Sequence, residues 1–332
     1  MAFRPADRRR RGRSAPLASA DFARGCGCRR DKLLTRTIRR AALLLVQLDV
    51  RIAAAATAAD WQGAAGGAHA STPVMAKPSL MVLVPGLGER DRVNMAQKNM
   101  RWLRQQAFNI ALECNMYVYR NKAELNLSAA EFQPCQLHYR RGQWPEAVKR
   151  LPEGKWQRHD LVLLWFADNV LPSPEVDLRA MARAAFEYNL GVVSLTYREW
   201  ERVPHHPVMR RQEGQAVGRL TNFVEFDFCM IRPLVFKCLQ RMIEPLINPY
   251  GWGMDFVFPS ACGRWGMNRT LRIGVLDSMT MEDTGHNSYA RGPAGRAMQN
   301  FLAMYRKRGV VESSMRTLRA IRPSPRHEEE SA

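Results

Sequence analysis

The run from Leu161 to Asp168, LVLLWFAD, decides how the chain is read. Six consecutive large apolar residues without Gly or Pro describe a strand covered on both faces, the hallmark of a parallel sheet rather than of a half-exposed hairpin. Asp168 and Asn169 then fall at the carboxyl end of that strand. Downstream, Ser173 and Pro174 read as a helix start, followed by the stripe Leu178, Met181, Ala182, Ala185 and Phe186 and a stop near Asn189 and Gly191. Residues 191–197 (GVVSLTY) form the next strand signal. A strand, a helix and a strand in that order predict a mainly parallel sheet with helices on both faces.

Working upstream, Leu80 to Val84 is a shorter apolar run closed by Pro85-Gly86-Leu87-Gly88, and residues 93–107 carry apolar positions at helical spacing. This turn has neither the third glycine of a dinucleotide fingerprint nor a phosphate-loop lysine, so it reads as a turn near a nucleotide edge. Residues 115–119 and 135–139 are strand candidates, with a short helix at 145–150. Working downstream, residues 198–218 read as a polar loop. The run Phe223 to Met230, FVEFDFCM, alternates Phe, Glu, Phe, Asp and Phe and suits a strand with one polar and one apolar face. The stripe Val235, Leu239, Met242, Ile243 and Leu246 suits a helix, and Arg272 to Leu276 a last strand leading to Asp277.

Composition places this domain within the chain. There are 50 Lys and Arg against 31 Asp and Glu in 332 residues, a formal charge of +19, but residues 1–40 alone hold 13 basic and three acidic residues. The remainder is only mildly basic and shows no base-reading motif, so no nucleic-acid partner is expected for it. Residues 1–79 have the Arg, Ala, Ser and Gly content of a targeting arm. Its segment 41–59 contains seven large aliphatics, which favour bilayer insertion by about 3–4 kcal/mol, while Asp49 and Arg51 oppose it by about 5–7. Weak membrane association, a type II anchor of the Golgi or secretory membrane, and a chloroplast or mitochondrial transit arm all suit it. The domain is expected over 80–309, with 310–332 a frayed or disordered tail. The seven cysteines show no paired CxxC spacing, and a core of this size does not require a disulfide framework.

Ligands of open parallel sheets sit beyond the carboxyl ends of the strands. Asp168, Asp255 and Asp277 occupy such places, where a carboxylate can hold a cation or take a proton from a hydroxyl. Asp168 and Asp277 serve equally well as turn caps. Asp255 is set apart because Gly251 and Gly253 flank Trp252, and two glycines around an indole indicate a close approach of backbone. The adjacent His205 and His206 suit a solvated loop.

Residues 161–168, Tyr250-Gly-Trp-Gly-Met-Asp255, Ile273 to Asp277 and Asp283-Thr284 to Tyr289 resemble the ordered blocks of the plant and green-algal family known as domain of unknown function 707, over most of 80–309. That resemblance implies a GT-A-like fold, a nucleotide-sugar donor and a glycan or other hydroxyl acceptor. It further implies Asp255 as general base, Trp252 as a sugar platform, and Asp168, Asn169 and Asp277 as substrate contacts. A Mn2+ or Mg2+ ion would be held by Asp168 with Asp283 or His286. Where such enzymes carry an acidic triplet, this chain has Ala167-Asp168-Asn169, with one carboxylate. Both a glycosyltransferase and a non-catalytic sugar or nucleotide-sugar binder on the same scaffold therefore remain open.

Overall fold

The computed structural model describes residues 77–322 except 88–91, 120–124, 126, 199–205, 215–216, 268–270 and 285–291. The chain divides into two compact units, Met1–His69 and Ala70–Ala332, and every described residue belongs to the second. Residues 1–76 of the expected targeting arm, segment 41–59 among them, and His205 and His286 lie outside the described residues. Among the described residues, no helix is long and apolar enough to cross a membrane.

Ten strands form one sheet: β1 (Ser79–Leu87), β2 (Ala111–Val118), β3 (Cys135–Tyr139), β4 (Leu161–Trp165), β5 (Val170–Pro172), β6 (Val192–Tyr197), β7 (Gly218–Thr221), β8 (Phe228–Ile231), β9 (Ile273–Asp283) and β10 (Thr317–Ile321). Their order is β10-β7-β9-β6-β8-β4-β1-β2-β3, with β5 added to β9. β1, β2, β3 and β4 pair in parallel, as do β6 and β9. β8 runs antiparallel to both β4 and β6. Every residue of β4 and β6 is buried. Since successive side chains point to opposite faces, both faces of the sheet are covered there.

The helices are α1 (Val93–Gln106), α2 (Trp144–Lys149), α3 (Glu153–Trp156), α4 (Leu178–Glu187), α5 (Pro233–Met242), α6 (Met254–Cys262) and α7 (Gly292–Lys307). α1 and α4 bury the stripes their spacing predicts, including Met100 and Leu103 on one and Met181, Ala182 and Ala185 on the other.

Several expectations are corrected. α4 starts later than Ser173: Asp177 caps it by accepting from the Arg179 N–H, while Ser173 is bonded to Thr280 of β9. Only Phe228 onward of the 223–230 run is a strand. Phe223 and Phe226 pack against Phe256 and Phe258 of α6 instead, which draws the segment out of the ladder. α5 stops at Met242, with Ile243 extended, so Leu246 leaves the helical stripe and is exposed. Tail residues 317–321 form β10, pairing with β7 through backbone bonds that composition does not register. The core does contain disulfides, Cys114–Cys135 between β2 and β3 and Cys238–Cys262 between α5 and α6.

The strand directions put one end of the sheet to use. The carboxyl ends of β1, β4, β6 and β9 share a rim with the amino end of β8, because β8 is reversed. The chain order also changes direction between β1 and β4, the kind of switch point where crevices open.

Candidate functional site

The turn after β4 is clamped from both sides. Buried Asn99 of α1 donates its amide to the carbonyls of Ala167 and Val170 (2.6 and 2.8 Å), and the Trp165 indole donates to the same Val170 carbonyl at 3.1 Å. Asp168 is thereby held nearly buried, facing Arg92 at 3.9 Å. Thr284 donates its N–H and its hydroxyl to the Asn169 carbonyl, and Val170 pairs with Asp283. Asp168 and Asn169 are thus brought beside Asp283, as the sequence blocks imply. The Asn169 Oδ1 is buried and has no hydrogen-bond partner.

A second acidic group stands on the same rim. Tyr197, the last residue of β6, donates its hydroxyl to Asp227 Oδ2 at 2.6 Å. Burial, reinforced by Asp227, Glu225 and Asp283, pushes that phenol well above its ordinary range. The His206 N–H donates to Glu225 at 3.3 Å, and its ring packs edge-on against Phe223 and Phe256.

Asp255 joins this neighbourhood from the first turn of α6. Burial foremost, then the charges of Glu225 and Asp227, push its carboxyl up to about 8, against a partial offset from the Phe256 N–H donating to Oδ1 at 3.1 Å. The cause follows from sequence: the phenylalanines of 223–226 dock on those of α6, so the acidic residues between them meet Asp255. Glu225, Asp227 and Tyr197 were not among the sequence-predicted site residues. The available signal was a pair of acids alternating with aromatics, which reads as the solvent face of a strand until α6 is seen opposite.

The turn before Asp255 is built for backbone approach. Gly251 and Gly253 have φ of +74° and +80°, and a Cβ on Gly251 would lie 2.1 Å from the Trp144 ring. The Trp144 indole N–H donates to the Tyr250 carbonyl at 2.7 Å, and buried Asn248 bridges the turn to the Gly251 N–H and the Trp252 carbonyl. Trp252 itself is left 36% exposed.

Asp277 lies elsewhere. It is buried in an ion pair with Arg219 and accepts from the Gln212 N–H at 2.9 Å, while Arg219 also donates to the carbonyls of Val208 and Arg210. Its carboxylate fastens segment 208–212 to the sheet, and the Asp277 Oδ2 is buried without a partner. The Arg219 guanidinium is consumed in the same pair.

Among the described residues no group of three His, Cys, Asp or Glu side chains is arranged to hold a metal ion. Asp168 and Asp283 supply two carboxylates, and the first already faces a guanidinium. These residues do not by themselves fit a divalent cation, which takes six or more oxygens.

At the carboxyl ends of β1 to β3, a shallow cleft with about 10 Å3 of room is lined by Pro85, Tyr117, Tyr119, Arg140, Arg141 and Arg150, with Glu146 on its wall. The Arg140 guanidinium lies 5.5 Å from the centre of the Tyr117 ring.

No protein-family model and no curated protein matches the chain. Solved structures do match. A mannosyltransferase from Pyrobaculum calidifontis, in complex with GDP-Man and Mn2+, is 15% identical over 80% of this chain and 74% of its own, with a TM-score of 0.42. The glucosyl-3-phosphoglycerate synthase of M. tuberculosis is 12% identical over 76% and 92%, with a TM-score of 0.41. A197 from STIV is 12% identical over 62% and 84%, with a TM-score of 0.34. At these scores the likeness says nothing about activity.

Proposed function

We propose that the chain is a glycosyltransferase, moving a sugar from a nucleotide-sugar donor to an acceptor hydroxyl. The observation that carries this reading is Asp255, a carboxyl raised to about 8 on the rim of a mixed, partly parallel sheet, three residues from an exposed indole on a rigid double-glycine turn. A base with such a pKa is matched to proton abstraction near neutral pH, whereas an ordinary carboxylate is too weak. In this reading the acceptor hydroxyl delivers its proton to Asp255 as its oxygen attacks the anomeric carbon, and the donor diphosphate departs. Glu225 and Asp227 keep the base strong. Trp252 offers its face to sugar C–H groups.

Around the shallow cleft, Arg140, Arg141 and Arg150 supply positive charge beside tyrosine rings at the crevice end of the sheet, suited to contact a donor diphosphate from the surface. Asp168 and Asn169 stand between this cleft and the base, on the donor side. We route no step through a cation. The resemblance to domain of unknown function 707 rests on its four short blocks alone. The two disulfides favour the secretory address over an organellar one, because such bridges persist in oxidising compartments.

The second reading is a non-catalytic sugar binder, favoured by one observation: Asp168 is engaged by Arg92 rather than standing ready for a ligand. The full chain incubated with a panel of nucleotide sugars and hydroxyl acceptors, followed by an assay of nucleoside diphosphate release, separates the two. Turnover that Asp255→Asn removes, with donor binding retained, supports the transferase. Binding without turnover throughout the panel favours the binder.

A further inference from the structure

We propose that a basic, apolar-tipped face at the far end of α6 from Asp255 docks on an anionic lipid surface, an inference that does not depend on the transferase reading. Three segments build this face. Past the end of α6 the helix kinks at Gly266 (φ +85°), leaving Trp265 41% exposed beside Arg264. Arg264 donates to the Arg308 carbonyl at 2.7 Å, which joins it to the end of α7, where Arg306, Lys307 and Arg308 are exposed. Arg308 reaches Glu244 at 3.8 Å, and so the loop after α5 comes alongside with Ile247 and Leu246, the latter 99% exposed. Val311, 71% exposed, closes the face, its N–H bonded to Ser260 of α6 at 3.2 Å.

The charges are complementary to a lipid headgroup layer. Arg241, Arg264, Arg306, Lys307 and Arg308 oppose two acids, Glu244 and Glu312, and these are engaged by Arg308 and by Arg306 (2.8 Å). Arg241, Arg264 and Lys307 meet no carboxylate among the described residues. Single apolar tips of Leu, Val and Trp set among cations are the composition of a surface that sits in headgroups, with the tips entering the acyl boundary and the cations on anionic phosphates. The core of a protein–protein interface is depleted of charged residues, whereas cations run through this face.

The test is hydrogen exchange of the full chain with vesicles of phosphatidylcholine alone and with about 30 mol % phosphatidylserine. The readout is local, so binding by the basic arm does not obscure it. Amides of 244–247, 263–267 and 306–312 are expected to slow on the anionic vesicles only, and less so at high salt. Leu246→Ser, Lys307→Glu and Val311→Ser combined should require at least about ten-fold more anionic lipid for the same protection. Unchanged exchange in β1 and β4 will verify that the variant is folded. The proposal falls if those amides are unaffected, if neutral vesicles protect them equally, if the triple variant behaves as the wild type, or if polyglutamate protects them and vesicles do not.

Discussion

Asp277 is buried and Asp255 half-buried near the same end of one sheet, yet their surroundings differ in sign. Asp277 has Arg219 against it and a backbone N–H on the same oxygen, so its charge is met by a cation. Asp255 accepts from backbone N–H groups and faces Glu225 and Asp227, so its charge is opposed and its proton is retained to about pH 8. Burial alone does not make a carboxylate functional. What distinguishes the two is whether the fold compensates the charge, and an uncompensated carboxyl beside an exposed indole is held at a cost to stability that a purely structural residue need not bear.

The largest effect expected from this contrast is on turnover. Asp255→Asn should lower kcat by about 10²–10⁴-fold with donor affinity nearly unchanged, because the amide keeps the shape and loses the base. In the wild type, kcat/KM should rise with pH to a plateau above about 8, as the carboxyl ionises. A rate that is independent of pH from 6 to 9 would remove Asp255 from this role. At Asp277 the same measurement has a different readout. Asp277→Ala leaves Arg219 buried and unmatched, and should cost about 3–5 kcal/mol in denaturant unfolding, whereas Asp277→Leu with Arg219→Met should cost far less. If the single and double variants lose equal stability, the ion pair is not what holds segment 208–212.

Sequence reading reached the two aspartates unequally. The parallel core was legible because β4 is a continuous apolar run and β6 is rich in β-branched residues, and the turn around Trp252 because two glycines flank an indole. The pairing of Asp168 and Asn169 with Asp283 was implied by resemblance and matches the bonds from Thr284 to Asn169. The partners of Asp255 were not legible. Glu225 and Asp227 are remote in sequence and reach it only because Phe223 and Phe226 pack on α6, a tertiary contact that no local period encodes. For the same reason Asp277 reads as a site residue from its place after a strand, until Arg219 of the antiparallel neighbour β7 is found against it. β10 escaped because an edge strand of mixed polarity looks like a tail.

The contrast also has a signature in stability. Unfolded, Asp255 should titrate near 3.8; folded, near 8. Between those values the native state keeps a proton that the unfolded chain has released, so stability is full below about pH 4, declines as pH rises, and levels off above 8. Asp255→Asn removes that decline. At pH 8 the variant should be more stable than the wild type by on the order of 5 kcal/mol, and the two should converge near pH 4. Asp277→Asn should show no such gain at high pH, which makes the pair of melting curves a direct comparison of the two environments.

The smallest effect belongs to Trp252, and it sharpens the comparison by separating contact from chemistry. Its indole is partly exposed and its backbone is fixed independently by Asn248 and Trp144, so Trp252→Ala should leave the fold and the pKa of Asp255 in place. Loss of a stacking face is worth about 0.5–1.5 kcal/mol, which corresponds to a roughly two- to ten-fold higher KM for the sugar-bearing substrate. The pH profile of kcat should keep its inflection near 8. A shift of that inflection in Trp252→Ala would mean that the indole shields the carboxyl from water rather than holding a sugar, since exposing Asp255 to solvent must lower its pKa.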